Sequence, residues 1–66
     1  MKLTTIRREE FDLIGTILTL KHDEETGFYY VLDGGKLIAK TEDEDEANDI
    51  YDRASFAFES INDDPF

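Results

Sequence analysis

The sequence predicts an α+β domain: a three-stranded antiparallel β-meander packed against a C-terminal α-helix, with room for a short N-terminal helix (α-β-β-β-α). Three observations carry this. Apolar and β-branched residues recur in three short runs between positions 16 and 40, turn residues separate those runs, and a three-and-four apolar spacing takes over from 43 to 60. At 66 residues, with no internal repeat, no Pro-rich or Gly/Ser-rich linker and a lone proline at Pro65, residues 1–66 read as a single small acidic domain.

Thr5-Ile6-Arg7-Arg8-Glu9-Glu10-Phe11-Asp12-Leu13-Ile14 places Ile6, Glu10, Leu13 and Ile14 near one helical face, with Thr5 positioned to cap its start and Gly15 its end. So short a helix is marginal by itself, and the rival for residues 5–14 is an N-terminal extension of the next strand. Residues 16–22, Thr-Ile-Leu-Thr-Leu-Lys-His, suit a strand. Asp23-Glu24-Glu25-Thr26-Gly27 supplies a turn, and Phe28-Tyr29-Tyr30-Val31-Leu32-Asp33 a second strand. Gly34-Gly35 fits a two-residue primed turn that returns the chain through Lys36-Leu37-Ile38-Ala39-Lys40.

With Gly34 and Gly35 as the loop, Leu32 should face Leu37, Val31 should face Ile38 and Tyr30 should face Ala39. Phe28, Tyr30, Leu32, Leu37 and Ala39 then share one side of the sheet, and Tyr29, Val31 and Ile38 the other. One helix covers only one side, so Tyr29, Val31 and Ile38 are a candidate second interface, against the N-terminal helix, another subunit or a target.

Residues 43–60 read as the main helix. Ala47, Ile50, Tyr51, Ala54, Ala57, Phe58 and Ile61 form its apolar arc, Thr41 with Glu44 matches an S/T-x-x-E capping box, and Asn62 and Pro65 fit a stop. The charge is polarised along the chain. Residues 1–40 carry seven acids and six bases, and residues 41–66 carry ten acids and Arg53 alone. Carboxylates at a helix start are stabilised by the helix dipole, which accounts for Asp43, Glu44 and Asp45. It does not account for Asp49, Asp52 and Glu59, which lie beyond the first turn. On a helical wheel Asp45, Asp49, Asp52 and Glu59 fall opposite the apolar arc, with Phe56 in the same stripe.

A net charge of −10 disfavours direct contact with nucleic acid or an anionic membrane, so a charged partner should be basic. No apolar run is long enough for a membrane span and no signal-type stretch follows Met1-Lys2, which points to a cytoplasmic protein. Cysteine is absent and His22 is the lone histidine, so no disulfide, no thiolate-held or histidine-pair metal site and no evident nucleophilic triad can be assembled. The run from Asp43 fails as a calcium loop at Ala47, Asn48 and Ala54, and Gly34-Gly35 lacks the lysine and helix of a phosphate loop. No cofactor and no enzymatic activity are expected.

Glu59-Ser60-Ile61 resembles the E-S-I triplet of phage-type uracil-DNA glycosylase inhibitors, which are acidic DNA mimics. In that family the triplet lies on an early edge strand; here it falls at the end of the expected helix, so no role is carried over. The leading functional reading is a small acidic inhibitor or decoy of the DNA-mimic type, as in phage or mobile-element anti-CRISPR proteins and inhibitors of DNA repair or restriction. Asp45, Asp49, Asp52 and Glu59 would imitate phosphates before a basic, nucleic-acid-binding protein, and Phe56 would add apolar contact. The alternative is a non-catalytic homo-oligomeric accessory module, a homodimer for instance, that associates through its sheet while the acidic helix maintains solubility.

Overall fold

The computed structural model describes residues 2–63, with side chains as far as Ile61. Strands β1 (Leu3–Phe11), β2 (Thr16–Asp23), β3 (Tyr29–Asp33) and β4 (Lys36–Thr41) form one antiparallel sheet in chain order, and helix α1 (Glu44–Asp63) covers one of its faces. The class is α+β, as the sequence implies. The sheet has four strands instead of three, because the expected N-terminal helix is strand β1 and the turn that follows it.

The reason lies in what each option offers the backbone. A lone helix over residues 5–14 would rest on its own weak propensity. Pairing with β2 instead satisfies the chain along the whole of β1 and delivers Phe11, 3% exposed, to the core. Residues that would have formed the apolar side of that helix stay outside: Ile6 is 46% exposed and Leu13 77%. A bulge at Ile6, between Thr5 and Arg7, resets the alternation so that Arg7, Glu9 and Phe11 face α1.

The β3–β4 hairpin turns at Gly34 and Gly35, with φ of 59° and 92°, as the sequence anticipates. Glycine takes two such conformations in succession without strain. A side chain at Gly34 would also bring its Cβ to 3.1 Å from the Thr16 hydroxyl, which itself donates to the Asp33 carboxylate. Beyond the turn the register departs from expectation. Leu32 pairs with Leu37 as foreseen, but a bulge opposite Val31 and Leu32 leaves Ile38 as the extra residue, so Val31 pairs with Ala39 and Tyr30 with Lys40.

The bulge moves Ala39 to the side opposite Leu37, while β3 keeps its expected alternation and α1 covers the side that holds Tyr29 and Val31. Tyr29, Val31 and Ala39 lie toward α1, with Val31 fully buried. Phe28, Tyr30 and Leu32 lie on the uncovered face. Of the proposed second interface, Tyr29 and Val31 therefore belong to the inner side, and Ile38 is a half-exposed bulge residue.

The core consists of Phe11, Leu18, Leu20, Val31, Ala47 and Tyr51, with Ile14, Tyr29, Ala39, Ile50, Ala54 and Phe58 packed around it. The helical arc read from the sequence is largely the buried one, although Ala57 and Ile61 stay exposed. Ser55, absent from that arc, is buried. The helix cap also differs. The Asp43 carboxylate accepts the N–H groups of Asp45 and Glu46, and the Asp43 carbonyl accepts that of Ala47. Thr41 is still in β4 and accepts the N–H of Asp43. No Thr41–Glu44 box forms, since Asp43 takes the capping position. The stop signal at Pro65 lies outside the described residues.

The two readings of residues 5–14 make opposite forecasts for point variants. Leu20→Ala should cost about 2–5 kcal/mol in denaturant unfolding, and Val31→Ala, which removes two carbons in place of three, somewhat less, since both leave cavities in a closed core. Leu13→Ala should stay within about 0.5 kcal/mol. A large loss at Leu13 would restore the helical reading.

Candidate protein-binding surface

The rotation of α1 is set by a seam of polar contacts along β1. The Arg7 guanidinium donates to the Asp52 carboxylate at 2.8 Å and to the Asn48 side-chain carbonyl at 3.2 Å, and it lies 4.2 Å from the centre of the Tyr51 ring. Two residues along the strand, Glu9 accepts from the Ser55 hydroxyl at 2.9 Å. Two further on, the Phe11 and Phe58 rings meet edge to face with centroids 5.5 Å apart. Each step of two strand residues, about 6.6 Å, is matched by three or four helix residues, about 4.5–6 Å, so α1 runs alongside β1 in the same direction. At the near end the Tyr29 hydroxyl donates to Glu44 at 3.2 Å.

Tyr51 is wholly buried and its hydroxyl points toward the Leu18 carbonyl at 3.4 Å. Burial pushes its pKa up to about 12, and the neighbouring Glu9 carboxylate pushes the same way. Tyr29 is raised as well, first by burial and then by its bond to Glu44. Asp23, in the β2–β3 turn, is lowered because its carboxylate accepts the Glu25 N–H.

With α1 seated this way, Asp45, Asp49, Asp52, Phe56 and Glu59 all lie on its outer, exposed side. Phe56 is 73% exposed and sits one turn from both Asp52 and Glu59. The five are not electrically equivalent. Asp52 is tied to Arg7, and Asp49 pairs with Arg53 one turn along at 3.2 Å, where both side chains are largely exposed. Among the described residues, Asp45 and Glu59 meet no cation. Residues 42–59 carry eight acids, and the two guanidiniums Arg7 and Arg53 are the cations paired with them, so this side of the molecule remains strongly anionic.

The uncovered face of the sheet has the opposite character. Cross-strand pairing lines up Lys21, Tyr30 and Lys40, and the Lys40 ammonium lies 4.5 Å from the Phe28 ring centre and 5.9 Å from that of Tyr30. Thr19, Leu32 and Leu37 form the next row. Arg8 and Glu10 flank these rows on β1, bonded to each other at 3.3 Å.

Sequence reasoning missed Arg7, Glu9, Asn48 and Ser55. The signal was the period-two order of Arg7, Glu9 and Phe11, which fits a strand better than a helix. Glu59, Ser60 and Ile61 lie in the last turns of α1, not on a strand. The described residues form no cavity, no cluster able to hold a metal ion, and no helix long and apolar enough to cross a membrane.

The neutral Tyr51 phenol is the form that the fold holds. Its contribution is whole below the ordinary tyrosine value of 10.0 and is lost as pH rises toward about 12. Tyr51→Phe should therefore reduce stability at neutral pH yet flatten the alkaline decline relative to wild type, as read by denaturant midpoints across that interval. Parallel declines would show that Tyr51 titrates freely. Compared with protein-family models, curated proteins and solved structures, the chain matches none.

Proposed function

We propose that the protein is a small acidic decoy that occupies the basic, nucleic-acid-binding surface of a target protein, in the manner of DNA-mimic inhibitors. The observation that supports this is the outer side of α1, where Asp45, Asp49 and Glu59 are exposed over about 21 Å of one helix around the exposed ring of Phe56. Long-range attraction would raise the encounter rate with a cationic groove, and Phe56 would add a short-range apolar contact after docking. Asp52 takes a lesser part than its position suggests, because Arg7 already neutralises it.

A homo-oligomeric accessory module is the second reading. Its support moves from Tyr29, Val31 and Ile38 to the uncovered row of Phe28, Tyr30, Leu32 and Leu37, where Lys40 covers the aromatic rings. On this reading the acidic helix maintains solubility.

Immobilised protein exposed to a cell lysate at about 50 mM salt, then eluted at about 500 mM, separates the two readings. The decoy should release nucleic-acid-binding proteins that duplex DNA also displaces. The triple variant Asp45→Asn, Asp49→Asn, Glu59→Gln should lose them while its circular dichroism remains unchanged. Asp52 is left intact because its loss would loosen α1 as well as remove charge. Capture that survives both the triple variant and high salt would end the decoy reading.

A further inference from the structure

We infer that the protein dimerises by antiparallel pairing of β1 with the β1 of a second copy, about a two-fold axis at Glu9. β1 is a nine-residue edge strand whose one neighbour is β2, so its other side offers a row of N–H and C=O groups that no described strand occupies. The opposite edge is a poorer template: β4 has six residues, a bulge at Ile38, and Lys36 and Lys40 near its ends.

Charge selects the occupant. A partner strand related by a two-fold axis perpendicular to the sheet keeps every residue on its own face, so two opposed residues must both point toward the helices or both away. Arg7-Arg8-Glu9-Glu10 meets that condition against itself. With Glu9 on the axis, Arg8 of each copy stands directly opposite Glu10 of the other, and both belong to the face turned away from α1. These are the two β1 charges that α1 leaves available. Their side chains are 52% and 56% exposed, and within one chain they bond to each other.

Arg7 and Glu9 are already engaged by α1, through Asp52, Asn48 and Ser55. The one unfavourable meeting in this register is Glu9 with its own copy, and the Ser55 hydroxyl at 2.9 Å draws that carboxylate up toward the helix. Centring on Arg8 instead would set two exposed guanidiniums together and offer new partners only to Arg7 and Glu9. The pairing spans Arg7 to Phe11 and stops short of the bulge at Ile6.

Because the axis preserves faces, the dimer is one continuous eight-stranded sheet with both α1 helices on the same side, antiparallel, and their acidic sides directed the same way. The dimer does not depend on the decoy reading, and each can fail alone.

Sedimentation equilibrium of the full chain tests it with two charge reversals, Arg8→Glu and Glu10→Arg, both checked for fold by circular dichroism. Wild type should associate reversibly to a dimer. Each variant alone should associate at least about ten-fold more weakly, since both cross-axis pairs become repulsive. An equimolar mixture of the two should regain the wild-type affinity as a heterodimer, because each presents the charges that the other lacks. Net charge alone gives a different pattern, with Glu10→Arg associating more tightly than wild type. A monomeric wild type, a Glu10→Arg variant that associates as well as wild type or better, or a mixture no tighter than its components would overturn the proposal.

Discussion

The seating of α1 on the inner face of the sheet, through Tyr51 and the β1 seam, is the constraint on which the rest of the surface depends. Tyr51 occupies the centre of a core of six buried apolar side chains, under the Arg7 guanidinium and above Leu18. At about 100° per residue, a slip of one position would carry the outer carboxylates a quarter turn or more and bring Asp52 or Ile50 inward in place of Tyr51. Burying a side chain of this size is worth roughly 1.5–3 kcal/mol, and an unpaired carboxylate in its place costs at least as much again. The helix therefore has one stable rotation, and the direction of its acidic side follows from it.

Charge segregation is the consequence. One broad side of the molecule is an acidic helix, and the other is a sheet face where Lys21, Lys40 and Arg8 lie among aromatic and aliphatic side chains. Arg7, the sheet cation that pairs with the helix, is spent on positioning, since it joins Asp52, Asn48 and Tyr51 in a single contact set. The acidic side thus holds more charge than helix stability needs, while its single strong neutralisation serves packing. That excess is the basis of the proposed electrostatic binding surface, and it is confined to the last third of the chain, since the first 40 residues are close to neutral.

Much of this was readable from residue order, and the failures share a cause. The Gly34-Gly35 turn, the arc from Ala47 to Phe58 and the outward placement of Asp45, Asp49, Phe56 and Glu59 follow from local period and turn chemistry, which a sequence states directly. Residues 5–14 were misread because Ile6, Glu10, Leu13 and Ile14 satisfy a helical spacing by accident, whereas the burial of Phe11 depends on a partner strand that local pattern does not display. The bulge at Ile38 moves Ala39 to the other face, and the placing of Tyr29 and Val31 on the covered side depends on which face α1 packs against, which local pattern does not display. Asp52 was legible as exposed but not as neutralised, because its partner Arg7 is far away in the chain and meets it only after β1 is placed.

Native-state hydrogen exchange tests the seating of α1 most directly. If the helix and sheet form one cooperative unit through Tyr51, the amides of Tyr51, Ala54 and Ser55 should open with the same free energy as those of Leu18, Leu20 and Val31. Helix amides that exchange through a separate, lower-energy opening while the sheet stays protected would mean that α1 undocks on its own, and its acidic side would then have no fixed orientation to offer a partner.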